Sequence, residues 1–238
     1  MRYTQFTEDG EFIVPDYQTK VRVICIGGGG GGGYGLAGGA GSGLVASWEF
    51  RVESNRHYHV KVGSGGPGCT SASGCTSLIG GGGESRFGDF PSCKGGNSTK
   101  AHWPGGSGGS GGGSACNVNN PDIHGGPGGT NGAAGGECTD SGGRGQGDLS
   151  SIFQMFKYAQ FSAGRGGAGG SSSHSGGGGG GGVLLFGSGP NGADGENHFS
   201  GKGGKGYGAG GGGGGYEMGN SKSWNGGNGA DGFVYIEW

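Results

Sequence analysis

Few residues in this chain have a type and spacing that would serve chemistry. His57 and His59 lie two apart in a strand-like run, so both rings would face the same side of a strand. Such a pair can bind a metal ion, but no third ligand follows nearby in the sequence. A packed or solvated strand face is the better interpretation, and we predict no bound metal.

The cysteines leave two alternatives open. Six are present, namely Cys25, Cys69, Cys75, Cys93, Cys116 and Cys138. Cys69 and Cys75 lack the C-x-x-C spacing of zinc or redox sites, but they could close a short surface loop as a disulfide. Unpaired structural thiols are an equally good interpretation, because an even number alone is weak evidence for an oxidising compartment.

Motifs of enzymes carry little information here, because 75 of the 238 residues are glycine. At that content the dinucleotide fingerprint G-x-G-x-x-G arises by chance about seven times. The segment FSGKGGKG lacks the Ser or Thr of a phosphate loop, since Lys202 is followed by Gly203. No G-x-S-x-G elbow lies between a strand and a helix. We therefore predict that the chain is not an enzyme and needs no cofactor.

Charge and hydropathy exclude two classes of partner. The net charge is -2 and the 15 basic residues are scattered, so no basic footprint for a nucleic acid is present. A single Arg-Gly-Gly tract begins at Arg165. No run approaches the roughly 20 apolar residues that cross a bilayer. We predict neither nucleic-acid binding nor membrane insertion.

Three aromatic residues are candidates for ligand recognition. Trp103, Tyr216 and Trp224 each lie in a glycine-rich segment, where a ring can stack on a sugar and small neighbours allow close approach. The alternative is that each ring packs locally against the glycine backbone, since large aromatics are commonly buried.

Alternating apolar residues predict an all-β fold. The run 20–26 alternates Val and Ile on its two faces, which indicates a strand covered on both sides, and seven glycines follow it. Residues 44–52 and 57–62 flank a polar turn and predict a hairpin. Two short strands with a turn at Asp9 and Gly10 precede them, and 233–238 predicts a terminal strand.

We expect one domain over residues 1–238. Its strand-rich scaffold spans 1–90, and glycine-rich loops or layers span 91–230. Within the latter, the apolar segment 148–161 has the period of a short amphipathic helix, with a strand as the rival interpretation. Residues 231–238 form the closing strand.

The glycine tracts are predicted to be ordered. Runs such as 105–113 and 125–136 suit a polyproline II-like conformation with three residues per turn, which glycine adopts without steric penalty. Adjacent backbones without side chains could then satisfy each other's N–H and C=O groups.

Taken in order, the motifs resemble the glycine-rich domains of phage tail-fibre and tail-tip adhesins. They are FTEDGEFIVPDYQTKVRVICIGGGGGGG, HYHVKVGSGGPG, GGGGESRFGDF, GYGAGGGGGGY and GADGFVYIEW, and they span nearly the whole chain. The resemblance implies a jelly-roll-like β-sandwich scaffold that bears glycine-rich loops. In related adhesins at fibre tips, polyglycine II helices pack in layers and carry recognition loops at the distal end.

What the resemblance implies about function is host attachment. We expect a non-enzymatic virion adhesin that binds a host cell-surface glycan or protein and contacts other tail or fibre proteins, as a homo-oligomer such as a trimer. Docking of a tip protein predicts an exposed apolar patch near the N-terminal strands. The alternative is a self-assembling extracellular glycine-rich protein of a filament or matrix. Glycine-rich ice binding is disfavoured, because the glycine runs are interrupted irregularly.

Overall fold

A computed structural model describes residues 2–71, 81–99, 105–109, 112, 156, 161–163, 167, 177–185, 193–196, 199–217 and 220–238. These residues form eleven β-strands and no helix, so the fold is all-β as predicted. The described part of the chain therefore has no helix that could span a membrane. The strands are β1 Tyr3–Phe6, β2 Gly10–Ile13, β3 Lys20–Ile26, β4 Val45–Arg51, β5 His57–Lys61, β6 Arg86–Phe87, β7 Phe161–Ala163, β8 Val183–Leu185, β9 Tyr216–Glu217, β10 Lys222–Ser223 and β11 Phe233–Glu237.

The main sheet is antiparallel and has the order β1-β11-β3-β4. The closing strand β11 lies between the first strand and β3, with Tyr235 opposite Ile24. All five residues of β11 are buried. β-branched and aromatic residues suit such a doubly covered strand. Backbone hydrogen bonds therefore join the first strand, at one edge of this sheet, to the last strand, which is central.

A second sheet, with the order β2-β5-β6, shares one hydrophobic core with the main sheet. Tyr58 and Val60 face inward from β5, while His57, His59 and Lys61 are exposed on its other face. The core combines residues of both sheets: Phe12, Val14, Val21, Val23, Cys25, Val52, Tyr58, Val60, Phe87, Cys93, Val234 and Ile236. Period-two alternation in the sequence thus corresponds to an apolar face on each sheet.

The predicted hairpin of residues 44–52 and 57–62 is wrong, because its two strands belong to different sheets. β4 pairs along its whole length with β3, and β5 pairs with β2. Between them the chain crosses from one sheet to the other, and Asn55 and Val14 are joined there by a hydrogen bond of 2.9 Å from the Asn55 N–H to the Val14 carbonyl. Crossing lets both strands turn their apolar faces to one core, which a hairpin within one sheet would not achieve.

The outer face of the main sheet is also covered, as the sequence of β3 predicts. Ile24 and Phe233 are fully buried on that face. The ring of Tyr207, from a glycine-rich segment, stacks on Phe233 with centroids 4.1 Å apart. Phe156 makes an edge contact with Tyr235 at 5.9 Å. Aromatic residues from beyond the scaffold thus complete the cover of β11.

The seven-glycine run at 27–33 continues β3 and contacts three neighbouring segments in rotation. Every third glycine returns to the same neighbour, and the contacted residue advances by three each time. The pairs are Gly27 with Lys94 and Gly30 with Asn97, Gly28 with Ser64 and Gly31 with Pro67, and Gly29 with Ala209 and Gly32 with Gly212. The run is therefore ordered and enclosed, and all seven of its residues are buried.

No side chain fits in this run, because neighbouring backbone occupies its place. A Cβ at Gly29 would overlap the carbonyl oxygen of Ala209. Six of the seven amides nevertheless donate hydrogen bonds: for example, the Gly29 N–H donates to the Ala230 carbonyl at 2.8 Å, and the Gly32 N–H donates to the Gly227 carbonyl at 2.8 Å. Buried backbone groups require such partners, and here other glycine-rich segments supply them.

Substitution of Gly29 tests this packing. We expect Gly29→Ala to lower the free energy of unfolding by about 3 kcal/mol, the upper end of the usual cost of inserting a methyl group, because the obstacle is backbone that cannot rotate away. Urea denaturation followed by circular dichroism measures the change. Gly203→Ala is the matched control, since the nearest atom to its Cβ is the Asn228 carbonyl oxygen at 3.7 Å. An equal, small effect of both variants would contradict the close packing.

Candidate functional site

A small antiparallel hairpin, β9 with β10, carries two of the three aromatic residues that the sequence singled out. Tyr216 pairs with Ser223, and Glu217 pairs with Lys222. Asn220 and Ser221 lie in its turn, where Ser221 has a φ of 51° and the Asn220 side-chain amide donates to Glu217 Oε1 at 3.1 Å. Trp224 follows β10 directly. Tyr216 and Trp224 are therefore close along the backbone of one hairpin.

The backbone of Trp224 is fixed to the glycine-rich segments on two sides. Its N–H donates to the Gly215 carbonyl at 3.2 Å, and its carbonyl accepts a hydrogen bond of 2.8 Å from the Gly35 N–H. Gly35 has a φ of 68°, a left-handed conformation that favours glycine, and a Cβ there would lie 3.1 Å from the Ser223 hydroxyl. This hydrogen bond attaches Trp224 to Gly35, which lies two residues after the end of the seven-glycine run.

Around the half-buried indole of Trp224 the structure places one cation and one further ring. The Lys222 ammonium lies 4.0 Å from the ring centroid, a cation–π contact. The Phe199 ring lies 5.9 Å away, tilted by 37°, and is 65% exposed. The indole N–H is buried and has no acceptor among the described residues. The group thus offers apolar ring surface beside a mobile positive charge, which is chemistry for stacking on a ligand.

Sequence reasoning found part of this group, which we call the aromatic hairpin and define as Phe199, Tyr216, Lys222 and Trp224. Trp103 lies outside the described residues, so its predicted role stays a prediction. Phe199 was missed, although it too is an isolated aromatic residue beside glycine, in HFSGKG. No sequence pattern pointed to Lys222 as part of the site, because only the fold brings its ammonium over the indole of Trp224.

Lys202, the lysine of the rejected phosphate-loop motif, is occupied by carboxylates. Its ammonium lies 3.1 Å from Glu196 Oε1 and 3.2 Å from Asp194 Oδ2. The hydrogen bonds that the Lys202 ammonium donates, first to Glu196 and then to Asp194, raise the pKa of Lys202. Two anions beside one exposed cation leave no positive charge for a phosphate, in agreement with the incomplete motif.

The histidine pair lies on the exposed face of β5, as a solvated strand face requires. His57 Nδ1 lies 3.0 Å from Glu11 Oε2 on the neighbouring strand β2. Over the ranges that the structure describes, no group of three or more His, Cys, Asp or Glu residues could hold a metal ion.

Two cysteines are buried thiols and a third forms a disulfide. Cys25 and Cys93 are free, and the Cys93 thiol donates to the Cys25 carbonyl at 3.0 Å. The Cys25 side chain and then burial raise the pKa of Cys93, so this thiol stays protonated and is no nucleophile. Cys69 is disulfide-bonded. Cys75 lies outside the described residues, and the pairing of Cys69 with Cys75 stays a prediction.

Alkylation tests the environment of the buried thiols. Because iodoacetamide reacts with thiolate, Cys25 and Cys93 should remain unmodified in the native protein at pH 8 and should be modified fully in 8 M urea. Peptide mapping by mass spectrometry measures both. Native modification of Cys93 as fast as that of free cysteine would contradict its burial and raised pKa.

Comparison with known proteins identifies a family. No curated protein matches the chain. A family model described as a glycine-rich domain matches residues 6–238. The match begins at the last residue of β1 and includes the seven-glycine run, the aromatic hairpin and β11. It covers almost the whole sequence, and the chain therefore belongs to the glycine-rich domain family.

Proposed function

We propose that this protein is a non-enzymatic adhesin of a virion tail fibre or tail tip, and that the aromatic hairpin binds a host cell-surface glycan or protein. The observation that carries the proposal is the attachment of Trp224 to ordered glycine backbone, with an exposed Phe199 beside it. Rings held in this way lose little conformational freedom when they bind, which favours affinity.

The glycine segments, in this proposal, form a bundle of polyglycine II helices. A helix with three residues per turn presents every third residue to the same neighbour. The rotation of contacts along 27–33 has that period, and the contacted residues advance in the same direction in all three neighbours. Parallel helices in register with one another give this pattern. The hydrogen bonds that Gly29 and Gly32 donate run to a further neighbour, at Ala230 and Gly227, and this neighbour is antiparallel because its residue numbers fall as those of the run rise.

The scaffold below this bundle, in the same proposal, is a jelly-roll-like β-sandwich. Its support is the core that the two sheets share and the crossings between them, from β1 to β2, from β2 to β3 and from β4 to β5. A rigid base of this kind fixes the direction in which β3 enters the glycine run.

The aromatic hairpin lies at the distal end of the bundle in this arrangement. Residues 27–33 leave the scaffold at the end of β3, and Gly35 then bonds to Trp224. With a rise of 3.1 Å per residue, the run spans about 20 Å. Exposed polar residues beside the rings, Asn220, Ser221 and Asn225, add hydrogen-bonding groups for sugar hydroxyls.

Attachment to other tail or fibre proteins, or to further copies of the chain, uses the N-terminal strands in this proposal. Four large apolar residues are markedly exposed within the described ranges, and three lie among the first 17 residues. These are Tyr3 at 48%, Ile13 at 52% and Tyr17 at 97% exposure. Exposed apolar residues near one terminus fit the docking surface that a tip protein needs.

A self-assembling extracellular structural protein is the second candidate, and one observation favours it. In the described part of the chain, the strand β1 forms one edge of the main sheet, and a strand of another copy could pair with it there. Electron micrographs of the purified protein discriminate between the candidates. Filaments without adsorption to cells favour assembly, and discrete particles that adsorb to cells favour adhesion.

Alanine at Trp224 tests the adhesin proposal. We expect Trp224→Ala to weaken adsorption of fluorescently labelled protein to bacterial cells at least tenfold, about 1.4 kcal/mol, because central aromatic anchors dominate binding energy. The melting temperature should change little. Flow cytometry over a panel of strains and a glycan array measures binding, and thermal unfolding is followed in parallel.

Tyr17→Ala is the matched control, since Tyr17 is an aromatic residue that is almost fully exposed and lies between β2 and β3, outside the aromatic hairpin. It should leave adsorption unchanged. Loss of stability in Trp224→Ala, with unaltered adsorption by the molecules that remain folded, would mean that the indole serves packing and would contradict the proposal.

A further inference from the structure

We propose that a second, separate site binds a carboxylated sugar residue of the uronic-acid type. The site is a cavity of about 620 Å³, here called the arginine pocket, whose lining includes Arg51, Arg56, Arg86, Tyr58, Asp89 and Phe90. Its volume lies in the range of roughly 300–1,000 Å³ that is usual for small-ligand sites. The inference does not depend on the adhesin proposal, since none of its residues belongs to the aromatic hairpin.

The arginine pocket lies at the end of the scaffold remote from the seven-glycine run. In the main sheet, Arg51 pairs with Lys20 at the start of β3, while Val45 pairs with Ile26 at its end. The glycine run begins directly after Ile26. The pocket and the aromatic hairpin are therefore independent binding surfaces.

Two of the three arginines are available to an anion. Arg56 is engaged, because its Nη1 lies 3.0 Å from Glu53 Oε1 and its guanidinium lies 5.3 Å above the Tyr58 ring. Arg51 and Arg86 are exposed and form no ion pair with any residue that the structure describes. Asp89 is the remaining carboxylate in the lining outside that pair. The guanidinium fork matches a carboxylate with two parallel hydrogen bonds.

A stack of aromatic rings supports the pocket from the core. Tyr58 lies 5.0 Å from Phe87 and 5.9 Å from Phe90 between ring centroids, and Phe90 stacks on Phe50 at 4.0 Å. Phe87 is fully buried, so the stack is anchored. Apolar ring surface next to guanidinium groups suits a sugar acid, which has a C–H face and a carboxylate on one small ring.

The lining of the arginine pocket favours a compact sugar over a peptide. Peptides bind by adding to a strand edge or by lying in an extended groove. Here the end of β4, the crossing at 52–56, part of β5, Arg86 and the turn at 88–90 line one half-open cavity. The positive charge selects against neutral sugars of the same size, since a neutral group leaves the two guanidinium forks without a charged partner.

Calorimetry with digalacturonate, and with neutral galactobiose as the matched ligand, tests the proposal on the full chain. We expect digalacturonate to bind at least tenfold more tightly at 50 mM salt, and its affinity to fall as salt screens the exposed charges at 500 mM. Arg51→Gln and Arg86→Gln should each weaken binding at least fivefold. Lys205→Gln, which removes an exposed positive charge outside both the arginine pocket and the aromatic hairpin, should leave it unchanged.

Nuclear magnetic resonance on the unmodified protein tests the same proposal without depending on whether the variants fold. Digalacturonate should shift the ring resonances of Tyr58, His57 and His59, which line the cavity. The proposal is overturned if neither method detects binding, if galactobiose binds equally well, or if the arginine variants bind normally. Tenfold tighter binding of a Glu-rich hexapeptide through the same arginines would also overturn it, in favour of peptide docking.

Discussion

The structure depends on close approach between backbones that carry no side chains. In an ordinary core, side chains fill the space between elements and specify which elements meet. Around Gly29 that space does not exist, since a single methyl group would overlap a neighbouring carbonyl. Order there comes from hydrogen bonds between segments, with partners supplied from distant parts of the sequence such as Ala230 and Gly227. Glycine loses more backbone conformational freedom on folding than any other residue. These hydrogen bonds must therefore offset a larger entropy cost for each residue.

The β-sheets and the glycine segments solve the same problem in different ways. Each must satisfy buried backbone groups, and the strand β3 does so with two neighbours in one plane. Beyond Ile26 the same chain packs closely against three segments and donates hydrogen bonds to others, such as those of Leu44 and Ala230, so its neighbours lie around its axis. From Gly27 onward no residue of the run has room for a side chain. This is why the β-branched residues of β3 end where the seven glycines begin. The transition allows rings such as Trp224 to be held outside the hydrophobic core.

Local sequence predicted the strands better than their partners. The alternation in β3 and the closing run of β11 identified both as strands, because short runs of β-branched and aromatic residues indicate strands even where both faces are buried. The pairing of β4 with β3 and of β5 with β2 was not predicted, since hairpin signals are local and the shared core decides the pairing. The contact of Phe199 with Trp224 joins separate segments, and no spacing reveals it. Because all seven residues of the run are glycine, the sequence does not specify which residue of a neighbouring segment each of them contacts.

Amide hydrogen exchange of the run 27–33 tests most directly whether the glycine backbone is an ordered part of the fold. These amides donate to fixed carbonyls, for example from Gly27 to Leu44 at 2.9 Å. Exchange should therefore be slowed to rates comparable with those of β11, as measured by mass spectrometry on overlapping peptides. Exchange of the run within seconds, at the rate of an unfolded chain, while β11 stays protected, would contradict the account.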